Sequence, residues 1–254
     1  MPSTVEQSPA AGDNLRALAR VDLAAAHRQA VKDGFIEGID NHFTLTVPGR
    51  ADRFYLNKFG LHWSEAKASN LIEVSLNGEV VKGEGQANLS AVSIHGPIHR
   101  RGIACALHTH MSYTTALTQL EDMTLEPSSQ NGAVLRDMIA YDHEYNGLAD
   151  TQEEGERMAD VLGDKKILLL ANHGAVTTGD TVAEAYHSLY FLERAAMTQL
   201  IAMAAGKRRM ISDAALGKVR KTLETARLEV RAEIFQYFEA VKRVLDNEGS
   251  DYAS

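Results

Sequence analysis

The sequence predicts an α/β fold, a mixed and mainly antiparallel sheet covered by helices on both faces. Short apolar or alternating runs joined by turn residues fill the first third of the chain. The strongest is Ile72-Glu-Val-Ser-Leu76, then Asn77-Gly78, then Val80-Val81, the signature of a hairpin. Thr151-Gln-Glu-Glu154 and Thr181-Val-Ala-Glu184 both fit the box in which a capping threonine and a glutamate satisfy each other's backbone donors. Beyond them, Val219, Leu223, Ala226, Val230, Ile234, Tyr237, Val241 and Leu245 recur at helical steps of three and four. Hairpins with interleaved helices fit a sheet held between helical layers.

The elements follow in order. Residues 1–12 are polar and rich in Pro, Ser and Ala, and read as a disordered lead-in. Asp13 can cap a first helix to about Lys32, with Gly34 as its stop. Phe43-Thr-Leu-Thr-Val47 with Pro48-Gly49 reads as strand and turn, and Arg53-Phe-Tyr-Leu56 as its partner strand. After the hairpin, Ser90 can cap a helix through Arg101, which leads into the apolar run Ile103-Ala-Cys-Ala-Leu107. The two threonine caps begin helices of about 151–163 and 181–205, on either side of the strand-like Lys166-Ile-Leu-Leu-Leu170. The stripe after residue 211 is a long helix or a helix pair that must pack on the core or on another subunit. The chain thus divides into a lead-in (1–12), a main domain (13–210) and a C-terminal helical extension (211–254).

With 254 residues and 44% apolar content the chain can bury one large core or two small ones. A net charge of −8, with Arg100-Arg101 and Lys207-Arg208-Arg209 as its basic clusters, excludes an extended nucleic-acid footprint. No run reaches the length of a membrane span and the first residues lack the apolar core of a signal peptide, so the expectation is a soluble, cytoplasmic protein without a membrane partner. The single Cys105 precludes an intramolecular disulfide and reads as a small core residue.

The chemistry concentrates at His108-Thr109-His110, at the end of an apolar strand. Side chains two apart on a strand point the same way, so both imidazoles can face one ion. An isolated His-x-His is more often two ordinary histidines. Here a second strand ends in Ala171-Asn172-His173-Gly174, which offers a third imidazole in a similar setting. Three histidines at strand ends read as a metal site with open coordination positions, suited to Zn, Mn, Fe or Co.

These motifs carry a resemblance. Over residues 15–210 the chain is similar to the class II aldolase/adducin family, through Gly38-Ile-Asp-Asn41, Lys58-Phe59-Gly60, His95-Gly96-Pro97-Ile98-His99, His108-Thr-His110 and Asn172-His173-Gly174. The resemblance implies an α/β/α sandwich around a mainly antiparallel sheet. It implies a divalent ion, zinc first, held by His108, His110 and His173, a small-molecule substrate, and a homotetramer with sites at subunit interfaces. Family aldolases and epimerases carry an acid on the helix before the His-x-His strand, and here that place is Ala91. Of the small residues that grip phosphate, Ser90 is kept and Leu89 is apolar.

An alanine moves no proton, which bears on mechanism. A metal-dependent carbon–carbon lyase of decarboxylase type, acting on a small hydroxy- or keto-acid, needs no prior proton abstraction and is the expected function. An aldolase or epimerase would need a relocated base, for which Glu144, Glu84 and a metal-bound hydroxide are candidates, and Tyr145 is a candidate acid. A scaffold like the adducin head, and an Fe(II) oxygenase, are further alternatives. Lys58 can neutralise a substrate carboxylate, or be an ordinary solvated lysine. Asn41 and Ser90 can bind substrate, although Asn41 fits an Asx turn equally well. His143 falls in a loop where substrate can be met, His95 and His99 form an i, i+4 pair suited to a structural role, and His62 and Trp63 either pack or line the pocket.

Overall fold

A computed structural model describes the backbone of residues 9–254 and the side chains from residue 12 onward. Helix α1 (Pro9–Asp33) leads into strands β1 (His42–Val47), β2 (Arg50–Asn57), β3 (Leu71–Ser75) and β4 (Val80–Lys82). Helix α2 (Leu89–Arg100) precedes β5 (Cys105–Thr109), then α3 (Ser112–Thr118), α4 (Gln130–Leu135) and β6 (Ile139–Asp142). Helix α5 (Gln152–Leu162), β7 (Ile167–Leu170), β8 (Gly174–Gly179), α6 (Val182–Ala205), α7 (Asp213–Thr225) and α8 (Arg227–Asn247) complete the chain.

The strands form one mixed sheet in the order β4-β3-β2-β1-β5-β8-β7-β6. Every neighbouring pair is antiparallel except β6 and β7. Period-two alternation sorts the side chains between the faces. Phe43, Leu45 and Val47 of β1 and Cys105 and Leu107 of β5 join the largest apolar cluster, with α1, α6 and α8. Ala106 faces the opposite way and packs with α2 and α5 in a second cluster. The α/β/α sandwich is therefore the observed fold.

Local chemistry departs from the sequence expectations in several places. Helix α1 begins at Pro9, so residues 9–12 of the expected lead-in are helical and residues 1–8 lie outside the described part. Proline suits a first helical turn because its missing N–H would be unpaired there anyway. Asn88, not Ser90, caps α2, its side chain accepting from the backbone N–H groups of Ser90 and Ala91. Thr151 and Thr181 cap α5 and α6 as expected, but neither glutamate reaches back to its threonine. Glu154 binds Arg157 and Asn146, and Glu184 accepts from Asp180 N. The C-terminal stripe is a helix pair. Phe238, Val241 and Leu245 of α8 enter the core, whereas α7 buries no side chain. Strands β6 and β8 and helices α3 and α4 carried no pattern strong enough to be foreseen.

Two contacts fix the elements around the site. Helices α2 and α5 cross so closely that a Cβ on Gly155 would lie 1.7 Å from Ser93 O. The buried carboxylate of Glu193 on α6 accepts from Tyr113 N at 2.9 Å and from Thr114 N at 2.8 Å, clamping the start of α3 just after His110. Among the described residues no helix is long and apolar enough to cross a membrane.

Candidate metal centre

Strand β5 carries His108, and His110 follows one residue beyond its end. His173 stands in the tight turn between β7 and β8, which is a hairpin tip and not the strand end that the sequence suggested. Asn172 has φ of +58° there, a left-handed conformation that asparagine tolerates, and it swings His173 toward β5. Gly174 is required by close approach, because a Cβ would lie 2.5 Å from Thr109 O and 3.1 Å from His110 Cδ2. The three rings form a near-equilateral triangle with centroid separations of 4.9, 4.8 and 4.8 Å.

Hydrogen bonds fix which nitrogens face inward. His108 Nδ1 donates to the Ala175 carbonyl at 3.0 Å, and His110 Nδ1 donates to the Glu37 carboxylate. A neutral imidazole with Nδ1 protonated has a bare Nε2. The two Nε2 atoms stand 3.1 Å apart, close enough for both to face one ion. Burial, then the neighbouring imidazoles, pushes the His108 pKa well below its ordinary value, and burial pushes His173 down to about 4. Neutral imidazoles are the form a metal binds. A nitrogen from each ring lies within 4.8 Å of the others, and the donor set fits a divalent ion with coordination positions to spare.

Glu37, which sequence reasoning missed, supplies the carboxylate that orients and polarises the His110 ring from behind. It sits in the loop before β1, and no motif marked it. His42 was also missed. It lies against His108 with ring centroids 4.9 Å apart, and His95 lies 3.0 Å from its Nδ1. A signal existed, since His42, Thr44 and Thr46 form the polar face of β1, and His95 and His99 stand one turn apart on α2.

The remaining expected residues separate into two groups. Asn41 and Lys58 line, with His42, Asn57 and Asn88, a cavity of about 10 Å³, room for about one water, which reaches the triad through His42 against His108. Asn41 has φ of +70°, its Oδ1 receives His110 N at 3.5 Å, and its Nδ2 is buried without a partner. Asn41 is thus a turn residue that also offers a free donor. Ser90 stands in the first turn of α2, and Asn88 takes its expected place at the cavity wall. Ala91 is buried against Phe54, Leu56, Ile72 and Val74, so no acid reaches the site from α2. Glu144 pairs with Arg157 at 4.0 Å and Tyr145 is exposed, with no hydrogen bond from either to the triad. Glu84 is likewise exposed, His143 stacks on Tyr141, and His62 caps a short turn in which Trp63 packs on His27 and Phe43.

A three-layer α/β/α sandwich with three imidazoles converging at one end of its sheet defines the class of this molecule. Residues 21–200 match the family model described as Class II Aldolase and Adducin N-terminal domain, and the chain belongs to that family. It is 34% identical over 210 residues to a Caulobacter vibrioides protein named after the class 2 aldolases, covering 81% of each chain. Rat beta-adducin is 32% identical over 248 residues, which is 91% of this chain and 34% of the adducin. Among solved structures, an aldolase II superfamily protein from Pseudomonas syringae superposes with a TM-score of 0.86 at 32% identity, over 99% of this chain and 100% of that one. An L-fuculose 1-phosphate aldolase from Glaciozyma antarctica superposes with a TM-score of 0.82 at 27% identity, covering 99% and 96%.

Proposed function

We propose that this protein is a divalent-metal-dependent carbon–carbon lyase of decarboxylase type, acting on a small hydroxy- or keto-acid. The observation that carries the reading is the convergence of the Nε2 atoms of His108 and His110, 3.1 Å apart, with His173 closing the triangle. Zinc suits three neutral imidazoles, and manganese, iron and cobalt are alternatives. When bound, the ion supplies Lewis acidity that draws electrons from the breaking bond. The chain's own residues do the rest. His108, His110 and His173 hold the ion, Glu37 orients His110, and Lys58 with Asn41 Nδ2 receives a substrate carboxylate once the small cavity opens. Because Ala91 can carry no proton, loss of CO2, which needs no prior deprotonation, fits better than aldol chemistry.

An aldolase or epimerase of a small sugar or sugar phosphate is the second reading, favoured by the likeness to the L-fuculose 1-phosphate aldolase. Its proton carriers would be Tyr145 and Glu144, exposed here and able to serve a neighbouring subunit's site in a homotetramer. A scaffold role is the third, favoured by the match to beta-adducin over nearly the whole chain. One series of measurements separates them. Purified protein should hold about one divalent ion per chain, lost in His110→Ala, and hydroxy- and keto-acids should yield CO2. Metal content unchanged in the variant refutes the site, clean aldehyde release from a sugar phosphate favours the aldolase, and a metal-free, inert protein favours the scaffold.

A further inference from the structure

Six of the ten histidines form one continuous array, and the triad accounts for three of them. The other three run from His108 into the layer between β1 and α2. His42 is the register partner of His108 across β1 and β5. Their hydrogen bonds have one consistent direction, set at the far end by a carbonyl, which can only accept. His99 Nδ1 lies 2.8 Å from Ile103 O and must carry a proton, which it shares with Thr46 Oγ1 at 3.1 Å. Burial keeps the His99 ring neutral, its pKa lowered to about 4, so its Nε2 is bare. Thr44 Oγ1 donates to that nitrogen at 2.8 Å, in preference to the Ala106 carbonyl at 3.2 Å. With its one hydrogen directed at His99, Thr44 Oγ1 accepts from His95 Nδ1 at 2.5 Å. His95, fully buried and neutral, then has a bare Nε2 that accepts a hydrogen bond from His42 Nδ1 at 3.0 Å.

The relay ends on His42 Nε2, which has an unshared lone pair and no donor among the described residues. His42 lines the polar cavity with Asn41 and Lys58, beside the triad. We propose that His42 is the substrate-facing hydrogen-bond acceptor of the site, its Nε2 held unprotonated by the chain Ile103–His99–Thr44–His95. The proposal rests on reading the triad as the reacting centre. An acceptor in this wall pairs with a substrate hydroxyl and opposes a keto oxygen at the same place, because two acceptors leave each other unsatisfied, while the carboxylate is left to Lys58 and Asn41 Nδ2. The site thereby leans toward a hydroxy-acid that also carries a carbonyl, whose oxygen takes up the electron pair left when CO2 departs. His95, Thr44 and His99 are positioning residues. They touch no substrate, yet they decide which nitrogen of His42 is bare.

Nitrogen-15 NMR of the full-length, metal-stripped protein, labelled on its histidine rings and assigned through single His→Gln variants, tests this. His42 is expected to show a protonated Nδ1 and an unprotonated Nε2. Thr44→Val keeps the side-chain shape but breaks the relay, so His42 should populate both tautomers while the fold is unchanged. A proton on His42 Nε2 in the wild type overturns the proposal, as does a His42 tautomer that ignores Thr44→Val. Should that variant fail to fold, the wild-type tautomer decides alone. Added Zn²⁺ should then shift the triad nitrogens and leave His42 Nε2 uncoordinated. Coordination at His42 would make it a ligand and overturn the proposal. Absence of any zinc response at the triad would instead refute the metal reading.

Discussion

Asn41 and Asn172 each turn the chain through a left-handed conformation just before a histidine of the array, so one backbone torsion aims each ring. Glu37 acts at the same scale. It touches no open coordination position, yet it holds His110 in the tautomer whose Nε2 faces inward. Glu37→Gln should weaken zinc binding roughly 10- to 100-fold, as loss of such supporting carboxylates does elsewhere, measured by chelator competition. Equal affinity would show that the contact does not support the site. His27 gives a second prediction, away from the triad. It is enclosed by Phe43 and Trp63 with Nε2 unpartnered, and burial lowers its pKa from 6.5 to about 4. The folded pKa lies below the unfolded one, so the unfolded chain binds more protons between these values. The stability tied to a neutral His27 is present above pH 6.5 and lost as pH falls toward 4, on the order of 3 kcal/mol over the window. Urea titrations across that range should show a shallower pH slope for His27→Phe, and an identical slope would remove His27 from the account.

Among the elements, the pairing of α2 with α5 depends most on one residue. Gly155 leaves no room for a Cβ against Ser93 O, so Gly155→Ala must push α5 outward. The variant should lose about 1–3 kcal/mol in chemical denaturation, the usual penalty for overpacking. No loss would mean that the crossing yields freely. Most elements were legible as patterns. The Asn77-Gly78 hairpin, the threonine caps of α5 and α6, and the stripe of α8 all use local chemistry that a short window contains. Asn88 displaced Ser90 as the cap of α2 because both residue types cap well and only the backbone path selects between them. Strand β6 escaped notice because its four residues are recruited by pairing with β7, far along the chain.

For the whole molecule, the C-terminal pair is half core and half surface. Phe238, Val241 and Leu245 complete the cluster formed by α1 and α6, and the carbonyls of Tyr252 and Ser254 receive Ala68 N and Ser69 N. Deleting residues 213–254 should therefore lower the melting temperature and the soluble yield, each uncovered large side chain removing about 1.5–3 kcal/mol. Thermal unfolding with light scattering checks this. A truncated chain of unchanged stability and size would show that the extension neither seals the core nor joins subunits.

The sequence alone determined the sheet-and-helix architecture, the family resemblance and the three histidines, because each is written in local periodicity or in a compact motif. Tertiary structure decided how those histidines are held. Glu37, His42, His95 and His99 gain their roles only when the loop before β1, strand β1 and helix α2 close on β5, since the direction of a hydrogen bond depends on partners that lie dozens of residues away.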